Sequence, residues 1–472
     1  MTKKMAKNPT QEVIKVTGGT PLHGSVRIGG AKNASYKLLI AATLANTPDA
    51  IKAQSRLLNF SKISDVTLVS DIIEYLGGKT DRSCERAIFV EPTKMHDHFI
   101  NPEHGEQGRF STMFIPTLLH RFGKATVPAP GGDRIGKRSL ERHFQGLEAL
   151  GAKVEQKDGL FYATTPGLKG NTYRFEKNSH TGTETMLMAA VRAQGKTILE
   201  NAAQEPEIDD MIKFLNNMGG RVERITPRTI RIEGVNELHG TIHKIIPDRN
   251  EAVSYACAAI ATKGDVIIEN ARAEHLEAFL QTLEKIGAGF EIGDYGIRFF
   301  YKGELTATDI TTSSEPGFMT DWQPLMATLL TQCKGTSILH ETVMSKRFQY
   351  VPALQSMGAD IEYHHVEVDN PEITYGFNEE ELYKPGKTPQ NSRVQVEGQP
   401  HPHAIKITGP TELTAGTYKI EDLRHGATLI MAAMIAKGTS TFTNLTQVDR
   451  GYEDLDARLS SMGAKIERVQ IQ

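Results

Sequence analysis

At 472 residues the chain is too long for one hydrophobic core and requires two or more domains. A formal net charge of −3, with 39% hydrophobic and 24% charged residues, excludes binding to nucleic acid or anionic membrane driven by bulk charge. Three scattered cysteines, Cys84, Cys257 and Cys333, without CxxC spacing, argue against a disulfide framework or zinc site and for a reducing compartment.

The N-terminal stretch MTKKMAKNPTQEVIKV carries basic residues but no apolar h-region. The longest apolar stretch of helical type, Leu429 to Ala436, is far too short to span a bilayer. The expectation is a cytoplasmic protein, a monomer or weak homo-oligomer, with neither membrane nor nucleic acid as partner.

Along the chain one phrase recurs six times: YLGGKT, ALGAKVE, NMGGRVE, KIGAGFE, SMGADIE and SMGAKIE. Its first glycines are Gly77, Gly151, Gly219, Gly287, Gly358 and Gly463, at steps of 74, 68, 68, 71 and 105 residues. The long last step contains an insertion near 363–403, polar and rich in Pro, Gly and acids, which reads as an exposed excursion. Its histidines His364, His365, His401 and His403 lack a metal-ligand spacing and read as solvated loop residues. Each phrase ends an amphipathic pattern and starts an apolar run, as a glycine-stopped helix followed by a strand does. A second phrase, with Gly123, Gly195, Gly264, Gly335 and Gly438, precedes the first by 23 to 28 residues. In the first unit Asn46 stands in its place, as the other residue that tolerates a left-handed cap. Each unit therefore reads helix–Gly–strand–helix–Gly–strand plus short strands, and six βαβ-like units predict a mixed α/β protein of two three-unit domains.

Fourteen residues before each cap of the first helix stand Lys32, Arg109, Thr181, Asn250, Asp321 and Arg424. Thirteen before the second-helix caps stand Arg138 and Arg450, in the second and sixth units. Capping accounts for Thr181, Asn250 and Asp321. It does not account for the cations, which oppose the helix dipole at an N-terminus. Convergent N-termini with cations predict an anion-binding cleft. Loop 128–139, PAPGGDRIGKRS, puts Asp133 behind two glycines and among cations. It is either a charge-balanced surface turn or an acid that meets an anionic substrate.

The stretches GSVRIGGAKNASYKLLIAATLA, ENAAQEPEIDDMIKFLNNMGG, IIPDRNEA, FMTDWQPL, IEDLRHGATLIMAA and VDRGYEDLDARL resemble the UDP-N-acetylglucosamine enolpyruvyl transferases of the EPSP synthase superfamily. The resemblance runs from Val13 to the C-terminus, apart from the insertion. It implies an inside-out α/β barrel fold of two domains, each of three βαβ-type units: 31–246, carrying the mobile loop, and 1–30 plus 247–472. It implies transfer of the enolpyruvyl group of phosphoenolpyruvate to the 3′-hydroxyl of UDP-N-acetylglucosamine with release of phosphate, in peptidoglycan synthesis, with no cofactor and no metal. By motif position, Asp133 corresponds to the general acid that closes with the loop. Lys32 and Asn33 contact phosphoenolpyruvate and sugar, and Arg109, Arg138, Arg424 and Arg450 bind the anions. Asp321 faces the sugar hydroxyl. Asp422 orients an arginine or a lysine, Glu205 belongs to the cleft with helix capping as its rival reading, and Val343 is a further substrate contact. Where many relatives carry a cysteine that fosfomycin alkylates, this chain has Asp133, which implies fosfomycin resistance. The pattern departs at SLERH (139–143), in the segment that shapes the uridine pocket, at Ser345, where glutamate is expected, and at Gln204, where arginine is expected. A different acceptor, shikimate 3-phosphate or another nucleotide sugar, and an inactive UDP-sugar-binding paralogue remain as alternatives.

Overall fold

Runs of alternating polarity fold here as strands with one dry face, and the longest apolar runs as helices that are dry all round. In the computed structural model, which describes residues 11–105, 108, 110–129, 140–344, 346–370, 374–375 and 402–471, strand Thr229–Glu233 buries Ile230 and Ile232 and exposes Glu233. Helix Arg249–Ala261, by contrast, buries every residue. Among the described residues the strands form six open sheets, five of four strands and one of three. None closes on itself as a barrel.

One sheet shows the local logic. Strand Thr172–Arg174 crosses through helix His180–Ala190 to the parallel strand Lys196–Glu200. Helix Pro206–Asn217 then leads to the hairpin Arg221–Thr226 and Thr229–Glu233, which returns antiparallel. Three other sheets are completed by distant segments. His23–Arg27 runs parallel to Asp265–Glu269, Ile242–Lys244 runs parallel to Ser55–Leu58, and Gln11–Thr17 lies between Thr439–Thr443 and Lys465–Ile471.

The apolar side chains gather in two clusters. One draws on residues Ala31 to Ile245, the other on Ile14 to Ile28 and Ala252 to Ile466. In the second, helices Arg249–Ala261, Gln323–Leu330 and Leu423–Ile435 pack against one another. The chain passes between clusters twice, and the passages are tied together. Ala31 N–H donates to the Ile246 carbonyl at 2.8 Å, and Asp248 N–H to the Gly29 carbonyl at 2.9 Å. No described helix is long and apolar enough to cross a membrane.

All six glycines of the first phrase have left-handed φ, between +80° and +102°. In the second phrase Gly123, Gly195, Gly335 and Gly438 do too, but Gly264 does not. The left-handed residue there is Lys263, at φ +59°. Gly264 is required for space instead: a Cβ would sit 2.1 Å from the Leu22 carbonyl oxygen, against the strand-leading segment that completes this sheet. Gly264→Ala is therefore expected to cost about 2–3 kcal/mol through a backbone clash. Gly151→Ala, in open space at φ +90°, is expected to cost about 1–2 kcal/mol. Urea midpoints of the two variants check the order.

Asn46 is a second correction: it is absent from the left-handed residues. Its side chain instead ties the end of the first unit to the segment before Ile242, accepting from Leu238 N–H at 2.8 Å and donating to the Asn236 carbonyl at 3.0 Å. Arg450 is a third. It caps the C-terminus of the short helix Thr446–Asp449 and stands five residues before helix Leu455–Ser461, so the dipole there favours the cation. The insertion joins two adjacent antiparallel strands, Asp360–His364 and Ala404–Gly409. Residues 371–373 and 376–401 lie outside the described residues, His401 among them. His403 is not a solvated loop residue: it is 6% exposed, under the aromatic ring of Tyr375.

Candidate active site

The predicted first-helix positions fall at helix starts. Lys32 opens helix Lys32–Ala42, and Thr181, Asn250 and Arg424 are second residues of theirs. Asp321 lies two residues before helix Gln323–Leu330. The caps are the neighbours Ser179, Asp248 and Asp422, whose side chains accept the first free N–H groups. Capping thus does not explain Thr181, Asn250 or Asp321. Asp422 accepts from Arg424 N–H at 2.8 Å and His425 N–H at 3.0 Å, the bonds of a helix cap.

Four of these starts meet. Lys32 N–H donates to Asp248 at 2.7 Å, Trp322 Nε1–H donates to Asn250 Oδ1 at 3.0 Å, and Arg424 Nη2 lies 3.1 Å from Asp321 Oδ2. Arg347 pairs with the other oxygen of Asp321 and donates through Nε to the Thr320 carbonyl at 3.0 Å. Arg424 Nη1 also donates to the Tyr452 hydroxyl at 2.8 Å, which lies 2.7 Å from Ser254 Oγ. Ser254 in turn donates to the Asn250 carbonyl at 2.7 Å, so the relay returns to a neighbouring helix start. Burial works to raise the Asp321 carboxyl, but Arg424 and Arg347 outweigh it and hold it far below the usual carboxylate range.

A second carboxylate holds two more cations. Asp65, near the start of helix Ser64–Tyr75, meets Lys32 Nζ at 2.8 Å and Arg450 Nε at 3.2 Å. Burial pushes its carboxyl up, and Lys32 and Arg450 overcome that and lower it. Lys32 and Asp65 belong to the 31–245 side and Arg450 to the other, so this pair of ion bridges spans the two clusters. The result is a cation-rich site of two ion clusters, Lys32–Asp65–Arg450 and Arg347–Asp321–Arg424, in which each carboxylate holds two cations.

Asn33 follows Lys32, half-buried. Glu205 precedes helix Pro206–Asn217 and makes no side-chain cap, which removes the rival reading. Val343 N–H donates at 2.8 Å to Glu341, whose carboxylate also accepts from Thr320 Oγ1 at 2.9 Å and Met344 N–H at 2.9 Å. Asp133, Arg109, Arg138 and Ser345 lie outside the described residues. In the departing segment 139–143, His143 Nε2 sits 2.9 Å from Thr181 Oγ1. Gln204, turned so that its amide oxygen faces Arg228, accepts from that guanidinium at 3.0 Å, so an arginine from a neighbouring hairpin reaches the expected place.

Sequence reasoning missed Arg347 and Asp65. Counting thirteen back from Gly358 lands on Ser345, two residues past Arg347. Asp65 lies on a second helix, where the repeat pattern was read for cations only. Among the described residues no group of three or more His, Cys, Asp or Glu is placed to hold a metal.

A buried bridge near the second passage also ties the clusters together. Arg249 meets Glu207 at 3.0 Å and Glu315 at 2.5 Å. Burial would raise Glu207, but Arg249, helped by His180, takes its carboxyl down to about 2, well below the usual glutamate range. A depressed carboxylate stabilises fully above the unfolded pKa, and the contribution is lost as pH falls through the folded one. The stability gap between wild type and Glu207→Gln, on the order of 3 kcal/mol at pH 6, is expected to shrink as pH falls from 4.5 towards 2. Urea titrations at stepped pH read this directly.

Residues 16–377 match the family model of EPSP synthase (3-phosphoshikimate 1-carboxyvinyltransferase). A UDP-N-acetylglucosamine 1-carboxyvinyltransferase of Halothermothrix orenii is 36% identical over 96% of this chain and 99% of its own. UDP-N-acetylglucosamine 1-carboxyvinyltransferase 2 of Staphylococcus saprophyticus is 36% identical over 97% of this chain and 100% of its own. In fold, the chain is similar to the enolpyruvyl transferase NikO of Streptomyces tendae, with TM-score 0.81 and 20% identity over 98% of this chain and 100% of that one. It is also similar to EPSP synthase of Acinetobacter baumannii, with TM-score 0.68 and 16% identity over 97% of this chain and 100% of that one. With residues 16–377 matched by the family model and 36% identity to these relatives over nearly its whole length, the chain belongs to the EPSP synthase family of carboxyvinyl transferases, beside the UDP-N-acetylglucosamine 1-carboxyvinyltransferases.

Proposed function

We propose that the protein transfers the enolpyruvyl group of phosphoenolpyruvate to the 3′-hydroxyl of UDP-N-acetylglucosamine, releasing phosphate, in peptidoglycan synthesis. The observation that carries this is 36% identity to enzymes of that name over nearly the full chain, and the ion clusters Lys32–Asp65–Arg450 and Arg424–Asp321 support it. The architecture we propose is six units in two domains, 31–246 and 1–30 plus 247–472. It is supported by the separate apolar clusters and by the strands 11–17 and 23–27 that join the second half.

In the addition step, the sugar 3′-oxygen bonds to C2 of phosphoenolpyruvate. Asp321 takes the hydroxyl proton, and Asp133, on loop 128–139, gives a proton to C3. A tetrahedral phospho-ketal results. In the elimination step the Asp133 carboxylate takes a proton back from C3, the double bond re-forms, and the C–O bond to phosphate breaks, the phosphate leaving with the proton that Asp321 had taken. Guanidinium and ammonium groups suit the phosphate and carboxylate charges. Lys32, Arg109, Arg138, Arg424 and Arg450 supply them, while Asn33, Glu205 and Val343 line the acceptor side and Asp422 fixes Arg424.

Phosphate release from phosphoenolpyruvate, with and without UDP-N-acetylglucosamine and with mass detection of the adduct, tests the reading. Release without a sugar requirement, or none at all, refutes it. With no thiol at position 133, wild type is expected to keep its activity after preincubation with fosfomycin, while Asp133→Cys gains time-dependent inactivation. Residual activity against preincubation time measures both.

A further inference from the structure

The insertion between strands Asp360–His364 and Ala404–Gly409 sends one described side chain back into the body of the protein. Tyr375 is 4% exposed. Its hydroxyl lies 2.9 Å from His340 Nε2, and its ring lies against that of His403, with centroids 4.3 Å apart. His340 ends strand Gly335–His340, and His403 immediately precedes strand Ala404–Gly409. The residue between these two supports is Glu341. Its N–H donates to the His403 carbonyl at 2.6 Å, and His403 Nδ1 lies 3.3 Å from the Glu341 carbonyl oxygen.

Glu341 is fully buried. Its carboxylate collects three donors: the Thr320 hydroxyl and the N–H groups of Val343 and Met344. Thr320 adjoins Asp321, and its carbonyl accepts from Arg347 at 3.0 Å. A buried carboxylate is tolerable only with its donors in place, so its position dictates theirs. The path from the insertion to Asp321 thus combines hydrogen bonds, one ring contact and the peptide links His340–Glu341 and Thr320–Asp321. It runs from Tyr375 through His340 and His403 to Glu341, and from there to Asp321 on one side and Val343 on the other.

We propose that Tyr375 is a positioning residue for the acceptor side of the site: it fixes Glu341, and through it the main chain at Thr320–Asp321 and Val343–Met344. The inference rests on assigning Asp321 and Val343 to the sugar nucleotide. The insertion then has a chemical role at the site, felt by the acceptor and not by phosphoenolpyruvate.

Steady-state kinetics of the full chain, with each substrate varied, test this. Tyr375→Ala is expected to raise KM for UDP-N-acetylglucosamine about tenfold, equivalent to about 1.4 kcal/mol, and to leave KM for phosphoenolpyruvate within about twofold. Tyr375→Phe keeps the ring and loses the hydroxyl, so a smaller rise is expected. Because Tyr375 acts through Glu341, Thr320→Val combined with Tyr375→Ala is expected to show less than the product of the single effects. Multiplicative effects, or equal rises in both KM values with a lowered Tm, overturn the proposal and make Tyr375 a structural anchor only. Unchanged KM values in both Tyr375 variants of an active enzyme overturn it alone. Absence of turnover in wild type overturns the reading of the site and this proposal with it.

Discussion

Asp321→Asn is expected to lower kcat by about 10³-fold, within the range for loss of a positioned proton acceptor. In the absence of substrate this carboxylate is clamped by Arg347 on one oxygen and Arg424 on the other, and is held far below the usual range. A carboxylate so acidic is a poor base. It becomes a useful one only when a guanidinium turns from it to an anionic substrate. The acid limb of kcat, which reports the bound complex, is therefore expected at higher pH than the acid limb of kcat/KM, which reports free enzyme and substrate. Because the group must be ionised, activity falls as pH drops through its pKa. The asparagine variant is expected to lack the separation between the two limbs. It also leaves two buried guanidinium groups without their shared carboxylate, an arrangement that costs about 3–5 kcal/mol. Thermal melts should record that loss beside the kinetics. An asparagine variant within tenfold of wild type in kcat would remove Asp321 as the base.

The parts of this molecule legible in the sequence are those with a local cause. A helix that must stop and turn into a strand needs a residue that accepts positive φ, so Gly77, Gly151 and Gly219 announce their places by identity alone. Counting fourteen back from the left-handed glycines Gly335 and Gly438 reaches Asp321 and Arg424, and the same spacing from Asn46 and Gly264 reaches Lys32 and Asn250 although neither of those two adopts positive φ. Gly264 misled because the same residue type answers a different need there, close approach of a second backbone from Leu22. That approach is a tertiary fact with no local mark. Asn46 misled likewise, since its side chain serves residues 236 and 238, far along the chain. Arg347 and Asp65 carry much of the charge pattern of the site but lie off the counted positions. They reach it from an irregular segment and from a second helix, so only packing reveals them. Tyr375 lies in a segment whose composition promises exposure, and its burial depends on two histidines on separate strands.

Lys32→Met is expected to lower kcat/KM for phosphoenolpyruvate by about 10³-fold while leaving the fold intact, at the level seen when one preorganised charge donor is lost. The reasoning starts from what the substitution spares. Methionine keeps an unbranched apolar stem against the Tyr36 ring, where the ammonium now lies 5.5 Å from the centroid. The main-chain bond from residue 32 to Asp248, at 2.7 Å, is unaffected. Asp65 keeps Arg450 at 3.2 Å and so is not left as an unpaired buried charge. What is lost is the ammonium that shares Asp65 with a guanidinium from the other half of the chain. In the free protein those two cations are neutralised by one carboxylate. An anion bound between them gains charge-assisted hydrogen bonds from both halves at once and draws them together. The variant is therefore expected to lose affinity for phosphoenolpyruvate and charge stabilisation in the reaction, so the loss should divide between KM and kcat. Lys32→Arg is not expected to restore activity fully, because a planar fork cannot occupy the position of a compact ammonium 2.8 Å from Asp65. A Lys32→Met enzyme within tenfold of wild type in kcat/KM for phosphoenolpyruvate would make Lys32 a partner of Asp65 and nothing more, and the anion would then have to be bound by the arginines alone.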